Sequence, residues 1–254
     1  MFNIIRSELY KTRHRKYPYI LIGILSAFIL FFVTVTAFQN RVNNANIGLG
    51  DVLLACVPLL SMGVYMTILI VDAVFSDEYK NQTMKNTVAF GISRTSLFFG
   101  KLIAELIVAV ISLIVLLAVL ILSTLILMGP GDQMVLPAAL PIFFQRVVLC
   151  LPLFVGALCV ANFLSFTIKS NGVCISVFFI MFTLGAQFCS WLAQLLGPVF
   201  LTIRSWLLMP QFDSIVKNTI VFGDVLGKCL IVGLGYAIVA TVVGLALFQR
   251  REIK

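Results

Sequence analysis

The chain has 254 residues, of which 61% are hydrophobic and only 11% charged, whereas a soluble domain carries about 25% charged residues. That balance excludes a soluble globular protein, which would lack the polar surface to cover its core; a bilayer removes the need, because lipid solvates apolar faces. The net charge of +8 would suit a nucleic-acid binder, but membrane topology accounts for it without one, and no nucleic-acid partner is expected.

Long charge-free windows run over 17–40, 52–71, 106–131, 147–168, 170–203 and 229–249. About 20 mostly apolar residues are enough for a helix to cross the hydrocarbon. Lipid forbids unpaired backbone groups, so these windows must be helical. They do not alternate polar and apolar residues, which excludes a barrel. The predicted fold is therefore all-α, a polytopic membrane protein with six transmembrane helices in a single domain, 1–254.

Residues 1–16 are too short and too charged to span. Phe2, Ile5 and Leu9 recur at helical spacing, with Arg6, Lys11 and Arg13 off that face, which predicts a helix lying in the membrane interface. The first span is predicted over about 19–38. Its apolar run is about twice the length of a signal-peptide core, so it is read as uncleaved. The second span covers about 52–75, with Pro58 as a kink. The cytoplasmic segment 76–101 follows, then the third span, about 102–127.

The next outer loop holds Gly129, Pro130, Gly131, Pro137 and Pro141, and its apolar residues predict that it rests on the membrane. The fourth span is about 147–168. Ser170-Asn171-Gly172 reads as a tight turn, and the fifth span is about 173–196. Residues 197–228 mix apolar residues with Trp206, Pro210, Asp213, Lys217 and Asp224, predicting an extracellular amphipathic or re-entrant segment with Trp206 at the interface. The sixth span, about 229–248, carries Gly233-xxx-Ala237 and Ala240-xxx-Gly244, a spacing of small residues that lets helices approach closely.

With six spans, thirteen Lys and Arg residues fall on the side of the termini and five (Arg41, Arg146, Arg204, Lys217, Lys228) on the other. This predicts cytoplasmic N- and C-termini. Asp72 and Glu105 lie within about two turns of the predicted cytoplasm, close enough to snorkel, and Glu105 stands one turn after Lys101, the spacing of a helical ion pair. No span carries a mid-membrane charge, which argues against an ion-coupled carrier and against an intramembrane hydrolase. The six cysteines form no CxxC pair, so no metal or disulfide frame is indicated. No phosphate-binding loop exists, since Gly100-Lys101 is followed by leucine. Nucleotide chemistry must then come from another chain, and neither a catalytic residue nor a cofactor is expected here.

The segment Phe75–Lys101 reads FSDEYKNQTMKNTVAFGISRTSLFFGK. It is charged, yet Val88, Phe90, Ile92, Leu97 and Phe98 make it too apolar for a bare loop. It reads as one or two short amphipathic helices separated near Gly91. Its Glu78-Tyr79, Thr83-Met84-Lys85-Asn86, Gly91-Ile92-Ser93-Arg94 and Gly100-Lys101 elements resemble the cytoplasmic segment of permease subunits in the ABC-2 family of ATP-binding cassette transporters, which often read E-Y-x-x-G-T-x-K-N, then I-S-R, then G-K. Gln82 stands where those permeases usually carry glycine. The basic N-terminal helix, the six spans and the basic tail agree with the same layout.

The resemblance implies an ABC-2 type exporter fold. Two permeases, identical or paralogous, would pair above two cytoplasmic ABC ATPase subunits. The segment around 76–95 would be the coupling helix, with Glu78, Tyr79, Lys80, Thr83, Met84, Lys85 and Arg94 as contacts and Lys101 as an anchor of the third span. Small permeases of this kind resemble bacterial subunits for antimicrobial-peptide export and self-immunity, which implies a plasma-membrane location and a peptide or other amphipathic substrate. The 22 phenylalanines suit an apolar path, though phenylalanine also simply fills lipid-facing surface. The alternative is a non-transporting immunity or sensory component that binds peptide at its outer face.

Overall fold

The computed structural model describes the backbone of residues 2–43, 45–80, 91–132, 134–168, 170–217 and 222–250, and the side chains of these except 76–80, 217 and 224. The helices, in order, are α1 (Phe2–His14), α2 (Lys16–Val42), α3 (Leu49–Cys56), a 3-10 turn over Pro58–Met62, α4 (Gly63–Lys80), α5 (Arg94–Leu127), α6 (Val135–Thr167), α7 (Asn171–Leu196), α8 (Val199–Ser205), α9 (Leu208–Lys217) and α10 (Phe222–Arg250). Six stretches are long and apolar enough to cross a bilayer: Lys16–Val42, Pro58–Phe75, Arg94–Leu127, Val135–Thr167, Asn171–Leu196 and Val225–Arg250. The chain is a multi-pass membrane protein.

Helix α6 forms the core. In its apolar window 67% of residues are buried within the chain, against 11% for α2, so α6 faces protein where α2 faces lipid. The tightest approach is with α10. A Cβ on Gly233 would lie 2.2 Å from the Pro152 carbonyl oxygen, and one on Gly156 would lie 2.6 Å from that of Gly233. The two backbones touch, and Ala237 and Ala240 continue the buried edge. The small-residue spacing of the sixth span thus has α6 as its partner.

Two stretches differ from the sequence expectation, and a third, 197–217, takes the amphipathic form expected of it. The second span is not one helix: α3 ends at Cys56 and Pro58 opens the 3-10 turn, because proline supplies no N–H and its ring excludes the carbonyl four residues back. The start of α3 is held by Asp51, whose Oδ2 accepts the Gly48 N–H at 3.0 Å. The loop expected over 129–146 is largely helix, since α6 already begins at Val135. Pro137 falls in its first turn, where N–H groups have no intrahelical acceptor in any case. Residues 197–217 fold as α8 and α9. The latter buries Leu208, Gln211, Phe212 and Ile215, the one-faced spacing of an amphipathic helix.

One end of the bundle gathers the starts of α2, α5 and α7 with the ends of α4, α6 and α10. This end, rich in Lys and Arg, is the basic face. The opposite face holds α3, α8 and α9. There Leu49 donates its N–H to the Gly129 carbonyl at 3.3 Å, and Arg146 Nη1 donates to the Ile215 carbonyl near the end of α9.

Candidate functional site

Several long-range polar contacts on the basic face gather near the two helix ends that flank residues 81–90. On the far side, Gly91 has φ +85, a left-handed turn that glycine adopts without strain. Ile92 packs on the core. Ser93 then caps α5, its Oγ accepting the Ser96 N–H at 3.2 Å, which satisfies one of the orphan donors of a helix start. Arg94, the first helical residue, donates from Nη1 to the Phe248 carbonyl at 3.0 Å and to the Gln249 carbonyl at 2.8 Å. These carbonyls lie in the last described turn of α10, where the helix dipole favours a cation.

Two turns further on, α1 lies against α5. Gly100 leaves the space: a Cβ there would meet Ile4 Cγ2 at 2.6 Å. Next to it Lys101 Nζ donates to Glu8 Oε2 at 2.9 Å, and Lys11 Nζ donates to Glu8 Oε1 at 2.7 Å. Lys101 also stands 4.7 Å from the centre of the Phe75 ring, a cation–π contact onto α4. Burial raises the Glu8 carboxyl, but the Lys101 and Lys11 ammonium groups outweigh it and hold the group below the ordinary carboxylate value. On the near side, Arg15, between α1 and α2, donates from Nη1 to the carbonyls of Ala73 and Val74 at 3.0 and 2.9 Å.

An aromatic chain locks these helices together. Phe166 of α6 meets Phe75 at 4.8 Å between ring centres, Phe98 at 4.8 Å and Phe248 at 4.6 Å. Helices α1, α4, α5, α6 and α10 therefore form one joint. Of the contact residues expected from the sequence, Arg94 is in the joint. Glu78, Tyr79 and Lys80 lie on the last turn of α4. Thr83, Met84 and Lys85, with Val88 and Phe90, lie outside the described residues.

Sequence reasoning missed Glu8. The face of α1 that packs on α5 carries Glu8 and Thr12, which are buried, while Phe2, of the face expected in the membrane interface, is 77% exposed. The available signal was that Glu8 is the sole acid among the first sixteen residues, amid five Lys and Arg. Glu105 also departs from expectation. It does not snorkel but is fully buried, and its Oε2 accepts from Asn162 Nδ2 of α6 at 2.7 Å. Asp72 is half-buried beside the Tyr17 hydroxyl and the Asn171 amide.

The joint carries no nucleophile–base arrangement; it clamps helices to one another. The family profile described as ABC-2 family transporter protein matches residues 4–185, well over half the chain. The chain belongs to the ABC-2 family of transporter proteins. Among curated proteins nothing matches it. As an ABC-2 member it is a permease subunit of an ABC transporter, the membrane component rather than the catalytic one, and family membership implies an ABC ATPase partner.

Proposed function

We propose that residues 76–101 couple this ABC-2 permease to its ATPase, on the cytoplasmic side, with Glu78, Tyr79, Lys80, Thr83, Met84, Lys85 and Arg94 as the contacts. The reading rests on one observation. The helix ends on either side of 81–90 are clamped, by Arg15 onto α4 and by Arg94 and Lys101 onto α10 and α1. A partner that displaces the intervening stretch would thereby move five helices rather than bend a loop. ATP would bias the bundle only through a difference in ATPase affinity for its two arrangements.

The basic excess on the joint's side supports cytoplasmic termini in a bacterial plasma membrane. We read the transporter as a pair of permeases, identical or paralogous, that exports a peptide or other amphipathic molecule. Support for such a substrate comes from exposed aromatic side chains along the spans, among them Phe28, Phe31, Phe38 and Phe188.

The test is co-purification with the ATPase, followed by ATP hydrolysis and transport assays. Glu78→Lys and Lys85→Glu should reduce the ATPase recovered while leaving membrane insertion intact. Arg94→Ala should in addition lower thermal stability, because it releases the end of α10. Charge reversals that assemble and transport normally would remove this segment from the docking surface. Peptide protection without any ATPase would establish the non-transporting reading instead.

A further inference from the structure

On the face opposite the joint, α8, α9 and the start of α10 enclose an open cleft of about 410 Å³. Its walls are Leu201, Arg204, Ser205, Pro210, Gln211, Asp213, Ser214 and Lys228. The neutral donors in this wall are already engaged. Ser205 Oγ donates to the Thr202 carbonyl and Ser214 Oγ to that of Gln211, both at 2.7 Å. The Gln211 amide, 2% exposed, donates to the Ser205 carbonyl, and Pro210 has no N–H.

The cations are not engaged in this way. Arg204 Nε is buried without a hydrogen-bond partner. Among the described residues, neither Arg204 nor Lys228 forms an ion pair with Asp213, although all three line the same cleft. A guanidinium N–H withdrawn from water and left without an acceptor is unfavourable, and an anion in the cleft would relieve it. The wall's charges sum to a single positive charge, matching a ligand with one negative charge.

The position narrows the chemistry. The cleft lies just past Leu196, where α7 ends, and Lys228 is the fourth residue of the apolar window that begins at Val225. Both mark the boundary between hydrocarbon and headgroups. Leu201, Ile203 and Trp206 on and beside α8 are 46–50% exposed, the kind of surface that rests among lipid chains, with tryptophan at headgroup level. A phosphodiester fits this setting better than a carboxylate: it carries one charge on two non-bridging oxygens, and its source is the surrounding lipid.

We propose that this cleft binds a singly charged phosphate group between Arg204 and Lys228. A phospholipid headgroup and a soluble phosphate ester share that chemistry.

The experiment uses the purified full-length protein in detergent, with native mass spectrometry as readout. One arm adds phosphatidylglycerol, and a second adds diacylglycerol of the same chains but without phosphate. A third adds glycerophosphoglycerol, the same singly charged phosphodiester without chains. Retention of phosphatidylglycerol over diacylglycerol supports a lipid source, and retention of glycerophosphoglycerol supports a soluble one. In either case Arg204→Gln with Lys228→Gln should weaken binding about tenfold or more, since two charge-assisted contacts are lost. The charge-preserving pair Arg204→Lys with Lys228→Arg should retain most of it, which separates loss of the site from misfolding. The proposal is overturned if the Gln pair binds as the unaltered chain does. It is equally overturned if neither phosphate compound is retained.

Discussion

Glu8 and Lys101, 93 residues apart in sequence, meet at 2.9 Å in a buried ion pair that seats the N-terminal helix on α5. Lys101 is fully buried and Glu8 is 3% exposed. Removing one member of such a pair leaves the other charge withdrawn from water, at a cost of about 3–5 kcal/mol. Glu8→Gln and Lys101→Met should therefore each destabilise the protein strongly. The double replacement Glu8→Met with Lys101→Met should destabilise it less than either single change. Thermal unfolding of the three variants in detergent checks this; additive losses would mean that the two groups act independently.

The same pair sets a pH dependence. The folded Glu8 carboxyl titrates below its ordinary value because the two ammonium groups outweigh burial. Its contribution is thus complete above the unfolded pKa and is lost as pH falls through the lowered one. Stability at neutral pH should be flat with respect to Glu8 and should decline in the acid range below the ordinary carboxylate value. Glu8→Gln should lack that acid-side loss. Melting temperature against pH for both proteins measures it.

Gly100 tests the seating of α1 sterically. Gly100→Ala places a Cβ about 2.6 Å from Ile4 Cγ2, which should cost about 1–3 kcal/mol as an overpacked contact. The obstruction is a side-chain methyl, so Ile4→Ala in the same chain should recover much of the loss. A double-mutant cycle on melting temperature gives the coupling, and a coupling of zero would place Ile4 elsewhere.

Gly233 obeys a different rule. A Cβ there meets the Pro152 carbonyl oxygen at 2.2 Å, which is backbone and cannot be trimmed. Gly233→Ala should force α6 and α10 apart and cost about 3 kcal/mol, with no single side-chain change able to restore it. Gly235→Ala, two residues on, has nothing within 4 Å and should be neutral or stabilising by up to about 1 kcal/mol through helix propensity. Unfolding of the two variants side by side discriminates packing from propensity.

Inside the bundle, Asn162→Leu removes the amide that donates to Glu105 Oε2 at 2.7 Å. Withdrawing a donor from a buried carboxyl should cost about 1–3 kcal/mol or more. Asn162→Gln, which retains the amide, should cost less, and thermal unfolding orders the two.

What the sequence determined by itself is the part governed by local composition. An apolar run without charge must become a spanning helix because hydrocarbon offers its backbone no other partner, so the number of spans was legible from residues 17–249, while the bounds of α4, α5 and α6 were not. The end of the bundle that carries the joint was legible too, since basic residues accumulate there. The break near Gly91 was legible from local composition, whereas the start of α5 at Arg94 was not, since the third span was expected only from about 102. Even the Gly233 and Ala237 spacing announced a close helix contact.

The partners were decided only by the tertiary structure. Nothing local says that Gly233 faces Pro152, that Lys101 reaches Glu8, or that Arg94 reaches the end of α10. Each of these choices pairs residues tens to more than a hundred positions apart, and helical periodicity reports which residues share a face without reporting what that face meets. Polar residues on apolar helices show this most clearly. Glu105 read as an interfacial charge because solvation in water was its default, and Glu8 drew no reading at all; the fold supplied amide and ammonium partners that let both be buried.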